Sequence, residues 1–161
     1  MEGNTNMIAI SSDQKEITSL DVANHFLCLA DEEAGDLISN LKVQKLVYYA
    51  QGFHLAVFGT PLFEDPIKAW THGPVVEELY HLFKQYGPGP IPRPKEVQSN
   101  VLPGPVRNLL NEVYNVYGQY DAWKLRNMTH EEPPWRDAYA RGPGEIIPTG
   151  AMQDYFKTQL Q

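Results

Sequence analysis

The stretch "LKVQKLVYYAQGFHLAVFG", ending at Gly59, constrains the fold more than any other part of the chain. Leu41, Leu46, Tyr49, Ala50, Phe53, Ala56 and Val57 recur at helical spacing and share a broad face, and Gly59 supplies a C-terminal stop. The segment is apolar on more than one side. It therefore predicts a central helix that other elements must surround. A chain of 161 residues is the length of one ordinary domain and buries about 70% of the surface its unfolded form exposes, so a core of that kind needs no staples.

Shorter helical patterns flank this segment. Leu20, Val22, Ala23, Phe26, Leu27 and Ala30 form an earlier stripe, with Asp21 near its start and Gly35 beyond it. Val106, Leu109, Leu110, Val113 and Val116 or Tyr117 form a later one that breaks at Gly118. Asp121 is placed to cap the next, which carries Trp123, Leu125 and Met128. Pro134 suits a first helical turn, Trp135, Ala138 and Tyr139 share a face, and Gly142-Pro143 stops that helix. Met152, Tyr155 and Phe156 anchor a final one. Residues 1–19 are polar and aperiodic and read as a flexible N-terminal arm, leaving 20–161 as the domain.

Two segments interrupt the helical pattern. "GPGPIPRPKEVQSNVLPGP" is too rich in proline and glycine for a helix or central strand to cross it. "TPLFEDPIKAW" holds a short β-prone run from Ile67 to Trp70 between turn signals. The following "AWTHGPVVEELYHLF" reads as a helix start: Pro74 at the first position, Glu77 and Glu78 against the positive helix end, and Val75, Val76, Leu79, Phe83 and Tyr86 on one face. The expected architecture is mainly α, a compact single-domain helical bundle with a small β-hairpin or short strands.

Composition narrows the function classes. Thirteen Lys plus Arg against 20 Asp plus Glu give a formal net charge of −7, so the overall field repels phosphate backbones and argues against nucleic acid as the main partner. No apolar run approaches the ~20 residues that span a bilayer, and no leader pattern precedes the first helix, so the expectation is a cytoplasmic protein without a membrane partner. Cys28 stands alone among apolar neighbours and reads as a small core residue.

The residues also lack a catalytic constellation. His25, His54, His72, His81 and His130 share no metal-ligand spacing with one another or with Cys or Asp, so no metal or cofactor is expected. No nucleophile elbow and no phosphate-cradling loop occur. Pairs such as Glu131-Glu132 read as solvated helix ends. What stands out is an aromatic excess: Trp70 and Trp135 each stand beside a helix start, and Tyr48, adjacent to Tyr49, puts a ring on a different side of the central helix. With His72 these are the candidate partner-binding residues, because large rings exposed near turns anchor protein interfaces.

Three blocks then resemble a known family. "NLKVQKLVYYAQGFHLAVFG", "TPLFEDPIKAWTHGPVVEELYHLFKQYG" and "LRNMTHEEPPW" follow the order found in the Panacea domain, the SocA-like antitoxin family that also includes phage-associated proteins of the GepA type. Together they run from Asn40 to Trp135, with Gly73, Pro74, Thr129, His130 and Pro134 at signature positions. The resemblance implies a non-catalytic antitoxin, often prophage-encoded, that binds a cognate toxin, with one branch of the family delivering its toxin to the ClpXP protease. The second proline of "EEPPW" and the unmatched arm depart from the pattern. His72 and His130 are expected to hold backbone groups at the two junctions. Two further readings compete: a phage or prophage adaptor for a host protein, and a small metal-dependent hydrolase using His72, His130 and a nearby carboxylate.

Overall fold

A computed structural model of the protein describes residues 16–95 and 101–160. Most of the expected arm, the stretch 96–100 of the proline-rich connection and residue 161 lie outside the described residues. Among the described residues there are seven α-helices: α1 (Ser19–Leu29), α2 (Asn40–Phe58), α3 (Glu77–Phe83), α4 (Gly104–Tyr117), α5 (Ala122–His130), α6 (Pro133–Arg141) and α7 (Thr149–Lys157). One antiparallel hairpin, β1 (Lys68–Trp70) with β2 (Gly73–Val75), precedes α3. The mainly α fold with a small hairpin is the architecture the patterning predicts, and none of these helices is long and apolar enough to cross a membrane.

Helix α2 is the axis of the core. From Lys42 to Gly52 every residue is buried, and α1, α4, α5 and α7 all pack on it. The closest approach is that of α7, where the Phe156 ring lies over Gly52 and meets Tyr48, Tyr49 and Phe53 at centroid distances of 5.5, 5.9 and 4.8 Å. A Cβ on Gly52 would stand 2.2 Å from that ring, so glycine here is a requirement of helix–helix distance.

The caps follow the local chemistry. Thr18 and Asp21 form a reciprocal capping box on α1, Asp121 accepts from the Lys124 amide on α5, and Gly59 ends α2 in the left-handed conformation. Thr18 thus caps α1, and Ser19 is buried in its first turn. Exposure corrects several apolar assignments: Leu20, Val57 and Tyr86 face solvent, and Cys28, expected as a core residue, is half-buried in α1.

Pro74 is a further correction. It lies within β2, and α3 begins only at Glu77 with Val76 as its N-cap; Val75 and Val76 are buried ahead of the helix. Pro74 stands opposite Ala69, whose N–H and C=O both turn to the other edge of β1, toward the Glu145 carbonyl and the Gly144 amide at 2.8 Å. A non-hydrogen-bonded ladder position asks nothing of a proline nitrogen. Glu77 and Glu78 do occupy the first turn of α3, where the helix end favours them.

Polar side chains of α2 hold the irregular segments. Gln51 donates to the Phe63 carbonyl at 2.8 Å and accepts from the Leu62 amide at 2.7 Å. Gln44 accepts from the Val76 amide at 2.9 Å, Asn40 donates to the Tyr80 carbonyl at 3.2 Å, and Lys42 donates to the Gly118 carbonyl at 2.7 Å.

Overpacking a full core commonly costs ~1–3 kcal/mol, so Gly52→Ala is expected to lower the Tm by about 4 °C or more as Phe156 is displaced. A thermal melt checks this. A melt within 1 °C of wild type, to within about the error of such a scan, would mean that α7 can shift without loss.

Candidate functional site

The turn between β1 and β2 carries Thr71 and His72 to the surface and sets them against α5 and α6. Trp135, at the start of α6, donates its Nε1–H to the Trp70 carbonyl at 2.8 Å. Its ring stacks on His130 at 3.8 Å and on Tyr139 at 4.7 Å. Trp135 is only 7% exposed and Tyr48 is fully buried. Neither is the surface anchor expected of it; both rings are core. Trp70 is half-buried with Tyr80 edge-on at 4.9 Å, and His72 is exposed.

The two histidines behave differently. His130 stacks on Trp135, and burial, followed by the charges of Arg126, Lys45 and His72, pushes its pKa down. His72 meets a side chain rather than backbone: its Nδ1 accepts from Arg126 Nε at 3.4 Å. Thr129 is fully buried, with its hydroxyl donating to the Arg126 carbonyl at 2.8 Å. Cations therefore surround this corner, and among the described residues no three His, Cys, Asp or Glu side chains converge as metal ligands.

Glu132 and Lys45 are both buried. Glu132, expected as a solvated helix end, is 7% exposed and accepts hydrogen bonds from Tyr48 at 2.9 Å and Tyr49 at 2.8 Å, one on each carboxylate oxygen. The adjacent tyrosines, expected on different sides of α2, converge with ring centroids 5.1 Å apart. Burial pushes the Glu132 pKa up to about 7, against the pull of the two hydroxyls, and burial with the nearby carboxylate pushes both tyrosines up. Lys45 is fully buried and donates to the Pro74 carbonyl at 3.3 Å. Burial, reinforced by Arg126, lowers its pKa to about 7.

Lys45 also explains the glycine of "THGP". Gly73 has φ +111°, and a Cβ there would lie 2.5 Å from Lys45 Cε and 3.0 Å from Thr129 Oγ1. The strand is thus bare where the lysine stem passes beneath it. Above Lys45 opens a cleft of about 740 Å3 at the N-terminal end of α2, whose walls include Trp70, His72, Tyr80 and Pro143.

Residues 43–136, a span holding Lys45, the hairpin, Glu132 and Trp135, match the family described as Antitoxin SocA-like, Panacea domain. The chain belongs to that family. Antitoxin SocA of Caulobacter vibrioides (strain NA1000 / CB15N) is 32% identical over 172 aligned residues, covering 95% of this chain and 89% of that one. No solved structure matches the chain. The resemblance read from the three sequence blocks is thereby established, and both comparisons support an antitoxin role; a family of antitoxins also points to binding rather than catalysis.

In this Panacea domain the signature positions come together physically. Gly73, Pro74, Thr129 and His130 lie around Lys45 and the hairpin turn, and Pro134 is in the first turn of α6 next to Trp135. Sequence reasoning missed Glu132, Lys45 and the exposed Trp123. The signal for the first two was polarity inside an otherwise apolar motif, since Lys and Glu are almost never fully buried without a specific reason.

Glu132 binds its proton more tightly folded than unfolded. Its contribution to stability is therefore complete below its ordinary value of 4.5 and is lost as the pH rises through about 7. Melts of wild type and Glu132→Gln across pH 4 to 8 should differ accordingly: the Tm of wild type relative to the variant falls by on the order of 5 °C over that window. A constant difference would show that the carboxyl does not titrate there. Gly73→Ala, strained at its φ and against Lys45, should lower the Tm by about 4 °C or more; an unchanged melt would mean that Lys45 has room to move.

Proposed function

We propose that this protein is a cytoplasmic antitoxin that neutralises a cognate toxin by direct, non-catalytic binding, and that the toxin docks around the hairpin turn. The antitoxin part rests on family membership and on the 32% identity to Antitoxin SocA. The location rests on Trp123. This ring is 54% exposed, lies 5.6 Å from His72 and has the Arg126 guanidinium 4.6 Å over its face. Tryptophan and arginine are the residue types that most often dominate interface energetics, and a cation held on the ring keeps both ordered before binding. His72 and Trp70 join this surface; Tyr48 and Trp135 support it from within.

A toxin encoded beside this gene should arrest growth when expressed alone, and co-expression of this protein should restore it. Trp123→Ala should keep the wild-type melt yet weaken toxin binding by about tenfold or more, read by calorimetry on the purified pair. Trp135→Ala should instead lose the fold. Rescue that persists in cells lacking ClpXP means that binding alone suffices, whereas rescue that disappears there means delivery to the protease. If the neighbouring product is harmless, or is not rescued, the antitoxin assignment fails for this chain.

A further inference from the structure

We propose that the cleft at the N-terminal end of α2 is a carboxylate-recognition pocket, in which Lys45 and His72 receive an acidic side chain or the terminal carboxylate of the toxin polypeptide. This rests on the antitoxin reading and specifies how that partner is read. The cleft has a volume of about 740 Å3, within the range of pockets that enclose a ligand of several residue-sized groups.

Its charge is the first argument. The chain carries 20 acidic residues against 13 basic ones, yet among the described residues the titratable side chains lining the cleft include Lys45, His72 and Lys84 and no Asp or Glu. Arg126 and His130 stand behind it from α5, both acting on the same corner. A concentration of one sign in a concave site focuses the field on an incoming charge of the other sign.

Lys45 is the second argument. An ammonium has three donors, and the hydrogen bond found for this one goes to the Pro74 carbonyl at 3.3 Å. Among the described residues no carboxylate acts on it; the charge that does is the like charge of Arg126. A fully buried lysine without a counter-ion is a poor stabiliser of a fold. The His130 Nε2 nearby is also buried without a hydrogen-bond partner among the described residues. A bound carboxylate supplies the missing counter-ion, and Lys45 takes up a proton as it binds. The walls then choose a peptide over an inorganic anion: Trp70 and Tyr80 stand edge to face, and Pro88 and Pro143 add apolar surface.

The first test uses the full-length chain and no toxin, so it is independent of the rescue assay. N-acetyl-Leu-Leu with a free carboxylate, N-acetyl-Leu-Glu-amide, the uncharged N-acetyl-Leu-Leu-amide and inorganic phosphate are titrated separately while the Lys45 Cε resonance is followed against pH. A carboxylate peptide should move the Lys45 midpoint upward by about one unit or more, and the uncharged amide should not. The free-carboxylate and Glu-amide probes separate a chain terminus from a side chain. A response to phosphate alone, an equal response to the uncharged amide, or no response to any probe overturns the proposal.

The second test uses Lys45→Met and His72→Ala in the rescue assay. Lys45→Met should melt at or above the wild-type temperature because it removes a buried amine, yet fail to rescue growth, a pairing that a purely structural lysine would not produce. His72→Ala covers the case in which Lys45→Met does not fold, and should weaken toxin binding about fivefold or more. Rescue at wild-type level by both variants would overturn the pocket while leaving the antitoxin assignment in place.

Discussion

The fold depends on polar side chains buried along one helix. Asn40, Lys42, Gln44 and Gln51 all lie within α2 and are all buried, and each bonds backbone of a loop, a helix end or the short helix α3. Buried amides and carbonyls left unpaired cost ~1–3 kcal/mol each, and the connections of this chain pair with one another only at a few points, as Ile91 does with Ile38. The central helix pairs several of the others. Its apolar residues make the core, and its polar residues fix the loops at the core's edge.

The same logic explains why the surface near the hairpin is built on groups that titrate near neutrality. Lys45 and Glu132 are both drawn inward by neighbouring segments, the one beneath Gly73 and the other between two tyrosines. Burial displaces their pKa values in opposite senses, each to about 7. Retaining them costs stability that an apolar pair would not cost. Such a cost at one corner of a domain is the usual mark of a site selected for something besides folding.

Most of the architecture is legible in the residues. Helical periodicity located the helices, and the glycine and proline punctuation separated them, because those signals are local. Pro74 shows the limit: a proline suits a first helical turn and a non-bonded strand position equally well, and the deciding fact is the 144–147 segment on the far edge of β1. Tyr48, Tyr49 and Glu132 show it again. Adjacent helical residues diverge, yet these two hydroxyls meet at one carboxylate, and that carboxylate is 83 positions beyond Tyr49. Trp135 and Trp123 exchanged roles for a similar reason: exposure of a ring is set by what packs across it, here Tyr139 and His130 over Trp135, which spacing alone does not encode.

The placement of α7 carries a consequence for the order in which the domain can close. Phe156 covers the aromatic core of α2, and it stands 104 positions beyond Gly52, the residue it lies over. Chains emerge from synthesis N-terminal end first, so Tyr48, Tyr49 and Gly52 are exposed well before the ring that covers them. Removing α7 would uncover the middle of the domain rather than trim its edge.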